Sequence, residues 1–309
     1  LNGSGIAPPF VHTPYDGSSH LFSVGLRPIG FESWLEPDAL LAAHLLRKQE
    51  LFAQQFEKVF QAEPGTADAQ HEALCLIVDN LRRFHERTHR IGPDHVWIAG
   101  RGEAVALTGA APLLIASCLV QEDLVLMRAG PEGYRLAAAS LCFPSSWSLA
   151  EKFGQSMPAI HETVPGFNSG RMGRVVGKLF ENLKHDQLVC RYNWALYDDA
   201  ELHHPEPKQL TSSASETGTD LLAGLFIRVE RQTLRRLPVS GDILFTIKVH
   251  HDPLALLEKV PERSAIAAGL RQQLLALEPD QLAYKGLAMQ RDRLADQLNR
   301  VANGAGMTS

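Results

Sequence analysis

The stretch Leu225-Phe226-Ile227-Arg228-Val229-Glu230-Arg231-Gln232-Thr233-Leu234-Arg235-Arg236-Leu237-Pro238, followed after Val239 by Ser240-Gly241-Asp242-Ile243-Leu244-Phe245-Thr246-Ile247-Lys248, decides the fold class. Two runs with strand-like patterning flank Pro238-Val239-Ser240-Gly241, and a Pro/Gly break of that kind reads as a turn joining antiparallel strands. The expected strands are 222–237 and 242–251. On the first, Arg228, Glu230 and Gln232 share one face, while Ile227, Val229, Arg231 and Thr233 share the other. A polar face on an otherwise apolar strand must be solvated, paired or used. Two readings stay open: Arg228 and Glu230 form part of an ion-pair ladder across strands, or they line a cofactor pocket.

Working outward, Leu124-Val125-Leu126-Met127-Arg128, the turn Gly130-Pro131-Glu132-Gly133 and the run from Tyr134 to Phe143 read as a second hairpin. Short helical pieces follow at 149–153, around His161 and at 172–183, and 188–197 reads as another strand. The order is therefore two strands, several short helices, then three strands. Upstream, Leu40, Leu41, Leu45, Leu51, Phe52 and Phe56 keep a helical period from Asp38 onward, and Leu74, Ile77, Val78, Leu81 and Phe84 do so over 67–87. These two helices predict an N-terminal cap. Beyond Pro253 the chain turns helical again, with Leu254, Leu257, Ile266, Leu270, Leu274 and Leu277, then 289–301. The expected division is an extended arm at 1–25, one domain at 26–260 and a helical appendage at 261–309 packed on the same domain. The polar connection 198–219 reads as a mobile lid or a subunit contact.

With 309 residues, 45% of them hydrophobic and 21% charged, the chain has the composition of an ordinary globular protein. A net charge of −5 offers no basic footprint for nucleic acid. No apolar run nears the roughly 20 residues of a membrane span, and the first residues lack the basic-then-apolar order of a signal peptide, so a cytoplasmic protein is expected. Cys75, Cys118, Cys142 and Cys190 sit apart among apolar neighbours. They read as small buried hydrophobes, not as an iron–sulfur cradle, so any such cluster is expected on a partner.

One histidine stands in a setting suited to ligation. His161 lies in Ile160-His161-Glu162-Thr163-Val164-Pro165-Gly166-Phe167-Asn168, downstream of Phe143-Pro144-Ser145-Ser146-Trp147-Ser148-Leu149-Ala150-Glu151-Lys152-Phe153-Gly154. Neutral imidazole is a ready metal ligand, haem iron included, although such a histidine also serves as a hydrogen-bonded structural residue. His250 and His251 are neighbours on a strand and point to opposite faces. His203 and His204 fall in the polar loop and are expected to be exposed.

Together with Arg191-Tyr192-Asn193-Trp194, the strand phrases, the tryptophan-lysine phrase and the histidine phrase make five motifs in order. Over roughly residues 20 to 260 they resemble the alpha subunit of haem-dependent oxidative N-demethylase, a dimethylamine monooxygenase. The resemblance implies an α+β fold: a PAS-like antiparallel β-sheet with inserted ligand-holding helices, an N-terminal helical cap and a C-terminal helical tail. It implies haem b with His161 on iron, and Lys152, Arg191, Arg228 and Arg231 as candidates for the propionates. The implied reaction consumes dioxygen and a small secondary amine such as dimethylamine and gives methylamine and formaldehyde. A small ammonium substrate calls for aromatic faces and a carboxylate, hence Tyr192, Trp194 and Glu230 as substrate candidates. Tyr192 and Trp194 share a strand face, and Asn193 points the other way. The implied partners are a reductase subunit carrying flavin, an iron–sulfur centre and an NADPH site, and folate-binding subunits that capture formaldehyde. The rival readings are a haem-based PAS sensor and a non-catalytic ligand-binding subunit. Against the sensor, the chain shows no sustained heptads and no output domain.

Overall fold

Strand patterning over 226–236 and 243–253 lets these two runs pair along their whole length. The computed structural model, which describes residues 8–17, 22, 24–207, 210 and 221–304, places them inside a seven-stranded antiparallel sheet. In chain order the strands are β1 (Arg27–Pro28), β2 (Phe60–Ala62), β3 (His89–Ile91), β4 (His95–Ile98), β5 (Val105–Ala106), β6 (Asp123–Gly130), β7 (Gly133–Ser140), β8 (Leu188–Tyr197), β9 (Phe226–Arg236) and β10 (Ile243–Pro253). The large sheet runs β1-β8-β9-β10-β6-β7-β2, and β3-β4-β5 form a small sheet apart. The last strand in the chain, β10, thus sits centrally, between β9 and β6. Its hairpin with β9 closes where Gly241 takes a φ of 74°, a left-handed conformation that favours glycine.

Register decides which side chains meet, because paired residues of antiparallel strands point to the same side. Arg191 pairs with Gln232, Asn193 with Glu230 and Ala195 with Arg228. Their face, the front, therefore carries Arg191, Asn193, Arg228, Glu230 and Gln232 together with Ile247 and Val249 of β10. The back carries Tyr192, Trp194, Ile227, Val229, Arg231, Lys248 and His250.

Helices cover both faces. On the front, the segment between β7 and β8 supplies α4 (Leu149–Lys152), α5 (Met157–Ile160) and α6 (Arg171–Asn182), numbered in chain order. Their side chains Leu149, Phe167, Val176 and Phe180 bury against Val125, Met127, Leu136, Leu234 and Ile247. On the back, α1 (Leu41–Val59), α2 (Ala67–Phe84) and α3 (Pro112–Ser117) pack on Leu124, Leu126 and Leu244. The other half of the back is covered by α7 (Arg263–Leu275), α8 (Pro279–Tyr284) and α9 (Arg291–Ala302), lying over Trp194, Leu196, Ile227 and Val229. Each fully buried leucine or isoleucine in these interfaces stabilises by about 1.5–3 kcal/mol. The result is a mixed helix and antiparallel-sheet architecture, as the α+β reading requires.

Several local expectations need correction. The strand expected from residue 222 begins as a 3-10 turn, Leu221–Gly224, and becomes extended only at Phe226. Helix α1 kinks at Gln55, whose φ of −150° and ψ of 49° are not helical. The described part of the expected arm is anchored on the domain: Phe10 and Tyr15 are buried, and Tyr15 meets Trp194 edge to face at 6.1 Å. Cys75 is exposed beside His71, contrary to its reading as a buried hydrophobe; Cys142 and Cys190 are buried. His203 and His204 are half-buried, not exposed, because His203 Nδ1 donates to the Cys142 carbonyl (2.8 Å) and His204 lies against Tyr197. Residues 1–7, 18–21 and 23 of the expected arm and 208–209 and 211–219 of the expected lid lie outside the described residues. Among the described residues no helix is long and apolar enough to cross a membrane.

Candidate functional site

The front-face helices are short because caps and prolines punctuate them. Ser148 and Glu151 form a reciprocal capping box that starts α4 and sets Lys152 in its last turn. Pro158 sits in the first turn of α5, where its missing N–H costs nothing, and the helix ends at His161. Asn168 Nδ2 donates to the Pro158 carbonyl (2.9 Å), and Gly166, at φ 71°, turns the chain back on itself. The His161 ring stacks on Phe167 with centroids 4.0 Å apart and planes 10° from parallel.

His161 Nδ1 lies 2.9 Å from the Met157 carbonyl. A carbonyl only accepts, so Nδ1 carries the proton and Nε2 of the neutral ring keeps its lone pair. Burial lowers the imidazole's affinity for a second proton, and the nearby positive charges of Arg191 and Lys152 act in the same direction, against the Met157 hydrogen bond. The ring is therefore held neutral, in one tautomer and one plane. That is the state a metal ligand needs.

Across from it, on the sheet, Glu230 Oε2 accepts from Gln232 Nε2 (2.9 Å) and from Asn193 Nδ2 (3.3 Å). Arg191 lies on the same face, and its Nε is buried without a hydrogen-bond partner. Burial disfavours the Arg191 charge, and Glu230 offsets this in part. A buried cation with an unmatched donor carries a desolvation cost, so it marks a place where an anion would be stabilised.

Of the residues singled out by sequence, the structure brings His161, Lys152, Arg191 and Glu230 to the front face. Arg228 is there too, but its guanidinium is committed to structure: it donates to the carbonyls of Leu202 (2.9 Å), Phe143 (2.6 Å) and Pro144 (3.1 Å) and lies over the Tyr197 ring. Of the two readings left open for Arg228 and Glu230, the ion-pair ladder is not formed: these carbonyl bonds take its place on one side and two amides on the other. Arg231 lies on the back, bonded to Trp34 O (2.9 Å), Ser33 O and Glu36 (2.9 Å). Tyr192 and Trp194 share a face as expected, but it is also the back; Trp194 Nε1 donates to Gln273 (2.9 Å) inside the C-terminal core. The Asn193–Glu230 register puts these aromatics on the far side of the sheet from Glu230.

Sequence reasoning missed the two amides that hold Glu230, and it missed Lys285. This lysine is buried, donates to the Trp194 carbonyl (2.6 Å), and burial pushes its ammonium down to about 8 while Glu230 pulls the other way. Gln232 and Asn193 were legible as front-face residues by alternation. Nothing in the tail marked Lys285, whose neighbours Leu282 and Leu287 lie in the C-terminal core.

The donor set fits a haem with its two carboxylates. His161 offers an oriented, open lone pair, and Arg191 and Lys152 supply cations on the same side, one with an unmatched donor. A family model described as haem-dependent oxidative N-demethylase, alpha subunit-like, matches residues 25–295 of the chain.

Proposed function

The chain belongs to the haem-dependent oxidative N-demethylase, alpha subunit-like family, and from that premise we propose that it is the catalytic subunit of a monooxygenase acting on a small secondary amine such as dimethylamine. The balanced reaction takes the amine, dioxygen, two electrons and two protons to methylamine, formaldehyde and water. Haem b supplies the oxygen activation; the protein supplies its ligand, its counter-charges and the placing of the substrate. His161 Nε2 would hold the iron, and Arg191 and Lys152 would offset the charge of the propionates. Glu230 offers the carboxylate that attracts an ammonium, kept in place by Asn193 and Gln232. A PAS-like description is supported by the long strands, which lie across the sheet in the order second, first, fifth, fourth, third, with the ligand-holding helices between the second and third. Electrons come from a reductase subunit with flavin, an iron–sulfur centre and NADPH.

The observation that carries this reading is the pinned Nδ1 of His161 together with Arg191, whose buried Nε on the same face is unmatched. Purified protein is expected to show a Soret band, and His161→Ala to stay folded while losing haem or changing its ligation. An unchanged Soret spectrum and unchanged activity in His161→Ala would remove that histidine from the site.

A further inference from the structure

On the back of the sheet, far from His161, three side chains from distant parts of the chain converge. His12 comes from the N-terminal segment, Glu36 from the approach to α1, and His250 from β10. Their ligand-capable atoms all lie within 4.8 Å of one another, and all three residues are partly buried. Glu36 Oε2 is 2.9 Å from His12 Nε2 and 3.5 Å from His250 Nε2. His250 Nε2 is buried and makes no hydrogen bond. We propose that His12, Glu36 and His250 form a divalent-cation site of the two-imidazole, one-carboxylate type, taking zinc or a similar borderline ion, that fastens the N-terminal segment to the sheet.

Geometry supports this. In a tetrahedral site with bonds of roughly 2.0–2.1 Å the ligand atoms stand roughly 3.3 Å apart. The His250–Glu36 separation of 3.5 Å is already close to that, and the His12–Glu36 contact of 2.9 Å needs only a small opening. The ligands are also held from behind. Arg231 Nε meets the other carboxylate oxygen, Oε1, at 2.9 Å, which leaves Oε2 turned toward the imidazoles. The His12 ring rests against Tyr192 (4.9 Å) and edge-on to His250 (4.7 Å). Charge permits it as well. The cations facing the cluster are Arg231 and Lys248, the latter paired with Asp38 at 2.7 Å. Against these two stand three carboxylates, Glu36, Asp38 and Asp252; Asp252 is on β10 two residues beyond His250, in electrostatic contact with both histidines. With neutral imidazoles and ionised carboxylates the group is net negative, so a divalent ion would be drawn in; burial raises the proton affinity of Asp252, and a divalent ion nearby would favour its charged form. Two of its three ligands are nitrogen, which favours zinc over magnesium.

The test uses the tag-free, haem-loaded chain, freed of metal by a chelator, equilibrated with Zn²⁺ alone and desalted. About one zinc per chain is expected to be retained, with a raised melting temperature. His12→Ala and His250→Ala should each weaken zinc binding at least tenfold while the Soret band is unchanged; His185→Ala, which removes an exposed histidine elsewhere, should behave like the parent. Equal zinc retention in parent, His12→Ala and His250→Ala would overturn the site, as would retention of Mg²⁺ at the same level or of no zinc at all. The His12 variant removes a side chain from a surface segment, not from the core, and haem content reports separately on the front face. Failure here therefore leaves the oxygenase reading intact, and the reverse also holds.

Discussion

The two faces of the central sheet bury the same kinds of residue and treat them differently. On the back, Lys248 is wholly buried, yet its ammonium meets the Glu36 carbonyl, Asp38 (2.7 Å) and Gln121 (3.3 Å). Arg231 is equally enclosed, with two carbonyls and Glu36 as partners. On the front, Arg191 keeps a buried Nε with no hydrogen bond, and Glu230, which attracts it, makes no salt bridge to it among the described residues. Burial of charge alone thus does not mark a site. What separates Lys248 and Arg231 from Arg191 is whether the donors are already committed; Arg235, on the back with a buried Nε that makes no hydrogen bond, lies over the Phe31 and Trp34 rings instead. Arg228 makes the point from the front itself: it is as buried as any, and every carbonyl it touches belongs to the scaffold.

The sharpest way to break this comparison is to cut a committed charge. Lys248→Met should destabilise by about 3 kcal/mol, the lower end for a broken buried pair because Asp38 is partly solvated, while haem content per folded chain stays normal. Urea denaturation and the Soret ratio check both halves; a stable variant would mean that the back-face network is as loosely held as the front. The complementary cut is Arg191→Met. Removing an uncommitted cation should leave the apoprotein's stability unchanged or raised, yet weaken haem affinity by about 1.5–3 kcal/mol, the loss of one charge-assisted bond. Haem transfer kinetics and apoprotein melting, read together, distinguish this from a structural role. Glu230→Gln comes next: kcat/KM for dimethylamine should fall about tenfold, near 1.4 kcal/mol, with haem content kept. Normal amine kinetics would end its role in the substrate site.

The smallest effect concerns protons on the back. Burial lowers His44 from its ordinary 6.5 to about 4. Between those values the unfolded chain binds more protons than the folded one, so stability is complete above pH 6.5 and drains away as pH falls toward 4. His44→Gln should flatten this acid limb by about 1 kcal/mol per pH unit, at most, and leave the slope of stability against pH near pH 8 unchanged. An acid limb of unchanged slope would assign it to other groups.

The long strands and amphipathic helices were legible because each carries enough residues for its period to show: 188–197 matches β8 end to end, and 67–84 forms one helix where 67–87 was expected. Strands β2 to β5 were not, since two to four residues hold too little alternation to register. At the site, alternation correctly placed Arg228, Glu230 and Gln232 on one face and Arg231 on the other. It gave no way to know which face the inserted helices would cover, because that depends on the course of the chain between β7 and β8 and not on the strands. For the same reason Tyr192 and Trp194 suggested a substrate cage. Paired strands transmit sidedness through register, and register became visible only when Asn193 was found opposite Glu230.

The central seat of β10 has a consequence for how the chain is made. Until residues 243–253 have left the ribosome, β6 and β9 each present a bare hydrogen-bonding edge, and the two halves of the sheet have nothing to join them. The β6–β7 hairpin and the β8 strand must wait as separate pieces, with the front-face helices attached to an incomplete floor. Contacts between segments as distant as Tyr15 and Trp194 add long loops to be closed late. A topology of this kind folds slowly and after synthesis, with exposed edges open to other nascent chains in the interval. Truncations that stop short of β10 should accumulate as aggregates, whereas those that end just after it should join the two halves of the sheet but leave Trp194, Leu196, Ile227 and Val229 uncovered.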